Sequence, residues 1–432
     1  MTSMARSAGH GFFSRKAVMN VLGITAEYNP FHRGHAYHIE EARKASGADY
    51  TVVVMSGNFT QRGEPAIADK WNRSRDAVSG GADLVFELPF LFACNRAQAF
   101  AAGGVDTLLA AGATHISFGC EAGDPDRLQE LAGALRSREE ALAQATRDIM
   151  TEGLSYAKAY ETAVREALGE EAAEIILTPN NILAVEYLKR IAFWQERGRE
   201  VMAVPIRRYG SGYHEADGMA GFAGASQIRK MLRDGITEEE LKKFLPLETA
   251  GWLAADGAAA RFASESREAS GNLFQLLKGI LLRSTPEELA SIYCIGEGIE
   301  NRLKNEINTA SDLDSLIISM VSKRYTAAAV QRMLLYVALG LKGSTTDPLI
   351  AEVEGGSLAP YLRLLAAGRS GRKLLRQMES NVITNVNKQM PEDTWSAEML
   401  AIDMQAADLY NALHGKRLYD YSDKVMQPYI ES

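Results

Sequence analysis

Between Val21 and Gly119 the chain alternates short apolar runs with amphipathic stretches. Val21–Thr25 predicts a strand, and a helix follows from about Gly34 to Lys44. Tyr50–Ser56 (YTVVVMS) is continuous and β-branched, as strands buried on both faces are. A helix near Ala66–Val78, a strand over Asp83–Leu88, a helix near Ala97–Ala111 and a strand over His115–Gly119 complete a βαβαβαβ order. That order predicts a parallel sheet with helices on both faces. Three helices across Asp126–Arg197 lead to one more strand, Val201–Arg207. Past about Pro246 the helical period takes over, at Leu273–Arg283, Pro286–Tyr293, Gly298–Asn308, Leu313–Val321 and Thr326–Leu341. The stretch KGSTTDP after it reads as a loop, and a last unit with a helix near Ser396–Leu413 runs to Ser432. The predicted fold class is α/β, a Rossmann-like parallel sheet followed by a mainly helical carboxy-terminal region. Its expected divisions are an amino-terminal extension without ordered structure (1–20), a sheet domain (21–245), a helical domain (246–343) and a helical or mixed unit (344–432).

Composition narrows the function classes. With 432 residues, 46% hydrophobic and 24% charged, the chain has enough apolar material for two or three domains and is not a disordered protein. No apolar run approaches the roughly 20 residues that span a bilayer, and the first 20 residues lack the apolar core of a secretory signal. Cys94, Cys120 and Cys294 lie far apart, which points away from a disulfide framework and towards the reducing cytoplasm. The net charge of −8 excludes a strongly cationic coat for nucleic acid but not a local basic groove.

Candidate chemistry concentrates between the first strand and the first helix, in Gly23–Ile39 (GITAEYNPFHRGHAYHI). In an open parallel sheet ligands bind beyond the carboxyl ends of the strands, and a helix amino terminus offers free N–H groups to a phosphate. Gly34 permits close backbone approach, and His32 and His35 can donate to phosphate oxygens. A metal site of His32, His35 and His38 is a weaker reading, because no carboxylate or cysteine completes the set. A second segment, Gly224–Arg229 (GASQIR), opens a helix after the fifth strand. Its Ser226 could cap that helix or touch phosphate, and Arg229 could balance charge on a leaving pyrophosphate.

His32-Arg33-Gly34-His35 resembles the His-x-Gly-His signature of the nucleotidylyltransferase superfamily, and Ser226-Gln227-Ile228-Arg229 resembles the Ser/Thr-x-Ile-Arg motif that its members place over a triphosphate. The resemblance extends through Ser56–Ala66 (SGNFTQRGEPA), Lys70-Trp71, Ala82–Pro89 (ADLVFELP), Phe118-Gly119, Pro179–Leu183 (PNNIL), Tyr213-His214, Lys323–Thr326 (KRYT) and Arg332. Together these motifs are similar to those of the bacterial tRNA(Met) cytidine acetate ligases, best over Val21–Leu341. The resemblance implies activation of acetate by ATP to acetyl-adenylate, with Mg2+ accompanying the nucleotide. Acetyl transfer to N4 of the wobble cytidine of elongator tRNA(Met) would follow. By motif position, Ile24, Thr25, Ala26, Glu27, Tyr28, Asn29, Pro30, Phe31, His32, Arg33, Gly34, His35, Ala36 and Tyr37 would cradle ATP, joined by Gly119, Asn180 or Asn181, Arg208 and Ser226. His35 and Arg229, with His32 and Lys70, are the catalytic candidates. Two departures stand out. Asn58 occupies a position where the family leads one to expect histidine, and the second motif is less threonine-rich than the family pattern.

Two basic stretches are candidates for tRNA. Lys323, Arg324, Tyr325 and Arg332 form one, with Tyr325 able to stack on an unpaired base. Arg363, Arg369, Arg372, Lys373 and Arg376 form the other, in a run from Leu358 to Gln377 without an acidic residue. Each is alternatively a solvated face. Two other functions stay open: a small-molecule nucleotidylyltransferase, which would need little beyond the first 240 or so residues, and a non-catalytic RNA-binding protein on a relic nucleotide fold. An aminoacyl-tRNA synthetase is disfavoured.

Overall fold

The computed structural model describes residues 19–121, 125–151, 153–154, 156–176, 179–207, 222–378 and 381–432. The extension 1–18, with Arg208, Tyr213 and His214, lies outside the described residues. Among the described residues eight strands form one sheet: β1 (Val21–Ala26), β2 (Tyr50–Ser56), β3 (Leu84–Leu88), β4 (His115–Cys120), β5 (Met202–Arg207), β6 (Leu362–Ala367), β7 (Val382–Ile383) and β8 (Tyr429–Ile430). Their order is β5-β4-β1-β2-β3-β6-β7, with β8 also on β6. The first five strands are mutually parallel, as the alternating pattern predicts. β1 and β2 are held in register from Val21 opposite Tyr50 to Ala26 opposite Met55, so both end at the same edge. Strand order reverses between β1 and its neighbours β2 and β4, the place where such sheets open a crevice.

The last 70 residues do not stand apart. β6 pairs antiparallel with β3, Leu84 opposite Ala367, and β7 and β8 then lie parallel to β6. The unit expected over 344–432 therefore completes the sheet that the first hundred residues begin. KGSTTDP is not a loop either, since Gly343–Glu354 is a helix. Thr346, Leu349, Ile350 and Val353 bury one face of it, which outweighs the single backbone donor that Pro348 removes.

A small helical module covers the carboxyl edge near β1. Helices Ala225–Arg233, Glu238–Lys242 and Leu247–Leu253 share their own core of Ala223, Ile228, Leu232, Leu241, Leu245, Ala250, Leu253 and Ala254. Two bonds dock it. Arg33 N–H donates to the Phe244 carbonyl at 3.0 Å, and Trp252 Nε1 donates to Asp76 at 3.1 Å. Beyond it, helices Ala258–Arg283, Leu313–Met320 and Ala327–Leu339 bury their apolar faces in the main core, as their period predicts.

Candidate active site

β1 ends at Ala26 and the first helix begins at Arg33. The six residues between fold into a compact turn. Tyr28 takes a left-handed backbone (φ 49°), an uncommon and costly state for an aromatic residue that tends to persist at functional sites. Phe31 is fully buried, and Tyr28 meets it edge-on at 4.8 Å between ring centroids. This apolar floor carries the two histidines. His32 occupies the N-cap position, and its ring stacks on His35 at 3.7 Å. The His32 backbone N–H donates to His35 Nδ1 at 3.3 Å. An accepting Nδ1 carries no proton, so Nε2 is the protonated nitrogen of the neutral ring and its only donor. Gly34 fits because a Cβ there would stand 2.9 Å from the His32 ring. His38 points elsewhere, its Nε2 lying 2.9 Å from Ser117 Oγ on β4.

The helical module brings Arg229 onto this turn from 200 residues away. Arg229 Nη1 donates to the Asn29 carbonyl at 2.6 Å, and its Nη2 lies 3.7 Å from Glu64. Burial holds its guanidinium below the ordinary arginine range, against the pull of Glu64 and Glu27. Glu27 is pushed above the usual carboxylate range by burial, although the Gln61 N–H, which donates to its Oε1 at 2.7 Å, and the Arg229 charge act the other way. The Ser56–Ala66 loop thus reaches the same place. Just beyond the loop Ile67 N–H donates to Asn29 Oδ1 of the same turn at 2.7 Å, and on its other side Arg332 Nη1 donates to the Gln61 carbonyl at 3.0 Å.

The chain resembles known proteins over nearly its whole length. A family model described as HIGH Nucleotidyl Transferase matches residues 19–424. The tRNA(Met) cytidine acetate ligase of Syntrophomonas wolfei is 35% identical over 410 residues, 91% of this chain and 95% of that one. Its counterpart from Syntrophotalea carbinolica is 37% identical over 376 residues, 86% of each. The crystal structure of Thermotoga maritima TmcAL (apo, form I) superposes with a TM-score of 0.81 at 28% identity, covering 96% of this chain and all of that one. A second form of the same protein, bound with alpha-thio ATP, gives a TM-score of 0.81 at 26% identity over the same shares. This chain belongs to the tRNA(Met) cytidine acetate ligase family.

Within that family frame the predicted residues separate into those at the turn and those that serve elsewhere. Ile24, Thr25 and Ala26 close β1; Glu27 to Tyr37 form the turn and the first helical residues. Arg33 turns away, its Nε donating to the Leu245 carbonyl at 3.3 Å. Ser226 is exposed one residue inside its helix and does not cap it; Gly224 holds that position. Gly119 lies on β4 opposite Ile206. Asn181 is buried and its Oδ1 accepts from Glu121 N–H at 2.9 Å, while Asn180 Nδ2 donates to the Glu121 carboxylate. Both amides therefore hold the chain leaving β4.

Lys70 lies in a buried ion cluster. Its side chain is fully buried, with Nζ 2.7 Å from Glu87 and 2.6 Å from Asp423. Burial alone would depress its pKa, but the Asp423 and Glu87 charges outweigh it and keep the ammonium charged. Its ammonium compensates these two buried carboxylates. Asn58, at the position of the expected histidine, accepts from Lys70 N–H at 2.7 Å. Arg73 was not singled out by its sequence neighbourhood, yet it ties the edge together. Its fully buried guanidinium donates to the carbonyls of Glu27 (2.5 Å), Ser56 (3.2 Å), Gly57 and Ala68 (2.9 Å), pinning the ends of β1 and β2 to each other.

The two basic stretches part company. Lys323, Arg324 and Tyr325 lie in the connection between helices Leu313–Met320 and Ala327–Leu339, where Arg324 pairs with Glu297 and sits 5.6 Å from the Tyr325 ring centroid. Arg332 joins this stretch to the carboxyl edge through Gln61. The other stretch does not form a groove at the site. Arg363 is fully buried on β6 and donates to the carbonyls of Ile383 and Asp423. Arg369, Arg372, Lys373 and Arg376 are exposed, but β6 runs antiparallel and delivers them to the opposite edge. There Gly368 N–H donates to the carbonyl of Asp83, the residue that precedes β3.

Proposed function

We propose that this protein is an ATP-dependent ligase that activates acetate as acetyl-adenylate and acetylates N4 of the wobble cytidine of elongator tRNA(Met). The observation that carries this reading is the stacked His32–His35 pair at the start of the first helix with Arg229 docked on the same turn, in a chain alignable with tRNA(Met) cytidine acetate ligases over nine-tenths of its length. An acetate oxygen attacks the α-phosphorus of ATP, and the bond to pyrophosphate breaks. The chemistry asks the protein chiefly to hold the triphosphate in line and to neutralise charge on the departing oxygens. The helix amino terminus, the Nε2–H of His35 and the Arg229 guanidinium supply donors for that purpose. The cytidine N4 then attacks the acetyl carbonyl, AMP leaves, and N4 gives up a proton.

Mg2+ enters this scheme as part of the nucleotide substrate. Among the described residues no three His, Cys, Asp or Glu side chains are grouped to hold a metal ion. Lys323, Arg324, Tyr325 and Arg332 are the proposed contacts for tRNA. The proposed compartment is the cytoplasm, where tRNA is available; among the described residues no helix is long and apolar enough to cross a membrane. The long helical second half, matched in the relatives, speaks against a small-molecule nucleotidylyltransferase. The test is direct. Incubation with ATP, labelled acetate and total tRNA, followed by digestion and mass analysis, should place the label in N4-acetylcytidine. Label in no nucleoside, or in a small metabolite, would end the proposal.

A further inference from the structure

The loop after β2 is held from two sides. Gln61 N–H donates to Glu27 in the nucleotide turn, and the Gln61 carbonyl accepts from Arg332. Between Gln61 and Gly63 stands Arg62, at the tip of a tight turn closed by Gly63 N–H on the Thr60 carbonyl (2.9 Å) and Thr60 N–H on the Glu64 carbonyl (3.0 Å). Gly63 has φ +82°, and a Cβ there would stand 2.7 Å from the backbone nitrogen of Arg332. The tip is thus mounted rigidly against helix Ala327–Leu339. Arg62 itself is exposed and makes no ion pair with a carboxylate among the described residues. Two residues on, Glu64 faces Arg229. After burial, the nearby positive charges of Arg233 and Arg62 further oppose the charge on Arg229, while Glu64 and Glu27 favour it. Arg62 thus stands one residue from Gln61, which grips Glu27, and two from Glu64, which faces Arg229. A cation carried on a rigid turn at the mouth of a crevice is what an anion requires.

We infer that Arg62 is a further substrate-contacting residue, a second guanidinium that works with Arg229 on the β- and γ-phosphates of ATP. This rests on the proposed placing of the triphosphate at the His32–His35 turn. As the bond to the α-phosphorus breaks, charge accumulates on the pyrophosphate, and a preorganised cation there stabilises the departing group more than the intact nucleotide. The triphosphate is favoured over an RNA phosphate because the neighbours of Arg62 on the same turn, Gln61 and Glu64, engage Glu27 and Arg229 beside the nucleotide turn.

The full-length protein, wild type and Arg62→Ala, should be titrated calorimetrically with ATP and with AMP. Transfer kinetics should be measured for ATP, acetate and tRNA. Loss of a charge-assisted contact predicts ATP binding and kcat/KM for ATP reduced about tenfold to a hundredfold. AMP affinity, KM for acetate and KM for tRNA should stay within about twofold, and Arg62→Lys should recover part of the loss. Equal weakening of ATP and AMP, unchanged ATP binding, or a rise confined to KM for tRNA or for acetate would each overturn the assignment. A wild-type protein that binds ATP but acetylates no tRNA would instead overturn the proposed reaction, leaving the ATP and AMP titrations to decide Arg62.

Discussion

His35 accepts a hydrogen bond through Nδ1 from the backbone of the residue three before it, and that bond sets the ring as an Nε2 donor. A ring so oriented can meet a phosphate oxygen without first changing tautomer. His35→Ala should lower acetate-dependent exchange of pyrophosphate into ATP by about a hundredfold or more, with the unfolding temperature near that of wild type; a loss under threefold would count against the role. Lys70 calls for the opposite outcome. It compensates two buried carboxylates, so Lys70→Ala strands Glu87 and Asp423 and should cost on the order of 3–5 kcal/mol of stability, read from denaturant midpoints. A stable but inactive Lys70→Ala protein would restore it as a catalytic candidate. The difference in legibility has a physical origin. The His32–His35 turn is a contiguous segment whose parts touch one another, so its order is visible in the string of letters. The partners of Lys70 and Arg73 come from distant segments or from backbone carbonyls, which carry no signature. Arg363 misled for a related reason: charge in a basic run reads as solvent-facing, and nothing local announces that β6 buries it.

Helix Lys70–Ser79 connects the sheet to the module that supplies Arg229. Its Asp76 accepts from Trp252 Nε1, and burial pushes the carboxyl up to about 6, against the opposing pull of that hydrogen bond. A carboxyl easier to protonate in the native chain than in the unfolded one binds more protons when folded. Its contribution is nil well below pH 4, where both states are protonated, grows destabilising between about pH 4 and 6, where only the unfolded chain gives up the proton, and is constant above that. With about 1.4 kcal/mol per unit, a rise of roughly two units amounts to something under 3 kcal/mol at pH 7. Asp76→Asn keeps an acceptor for Trp252 and removes the ionisation. It should raise the unfolding temperature at pH 7.5 and lose that advantage at pH 4; equal effects at both values would refute the argument. Elements were legible where one periodicity ran clean, as in Tyr50–Ser56 and Ala327–Leu339. They were obscured where composition disagreed with spacing. Gly, Ser, Thr, Asp and Pro in Gly343–Pro348 suggest a loop, yet the apolar positions at 349, 350 and 353 decide the helix. The two-residue strands β7 and β8 leave too little pattern to read.

At the scale of the whole molecule, the direction of β6 sorts the cations. Strands β1 to β3 carry their functional loops at one edge, and the antiparallel strand sends Arg369–Arg376 to the other. The proposed tRNA contacts Lys323, Arg324 and Arg332 belong to the first of these edges, which Arg332 reaches through Gln61. Arg324→Ala should weaken tRNA binding and reduce the slope of log affinity against log salt by about one. The combined substitution of Arg372, Lys373 and Arg376 by alanine should leave transfer at limiting tRNA nearly unchanged, and a large loss in that variant would show that tRNA wraps both edges. The α/β class and the first five strands were open to sequence reasoning because alternating elements impose few topologies. The return of the chain to its own beginning was not, since nothing in residues 344–432 names β3 as a neighbour.

That return has a consequence for synthesis. β3 is buried throughout, and one of its flanks is supplied by β6, which is made long after it, as is the carboxylate of Asp423 that Lys70 awaits. A nascent chain of 300 residues holds every group of the nucleotide turn and yet exposes an apolar strand edge and an uncovered ion pair. Competence is thus deferred until β6 and Asp423 are in place, and a chain interrupted before them presents an edge open to pairing with another chain, where an appendage could be lost without that exposure.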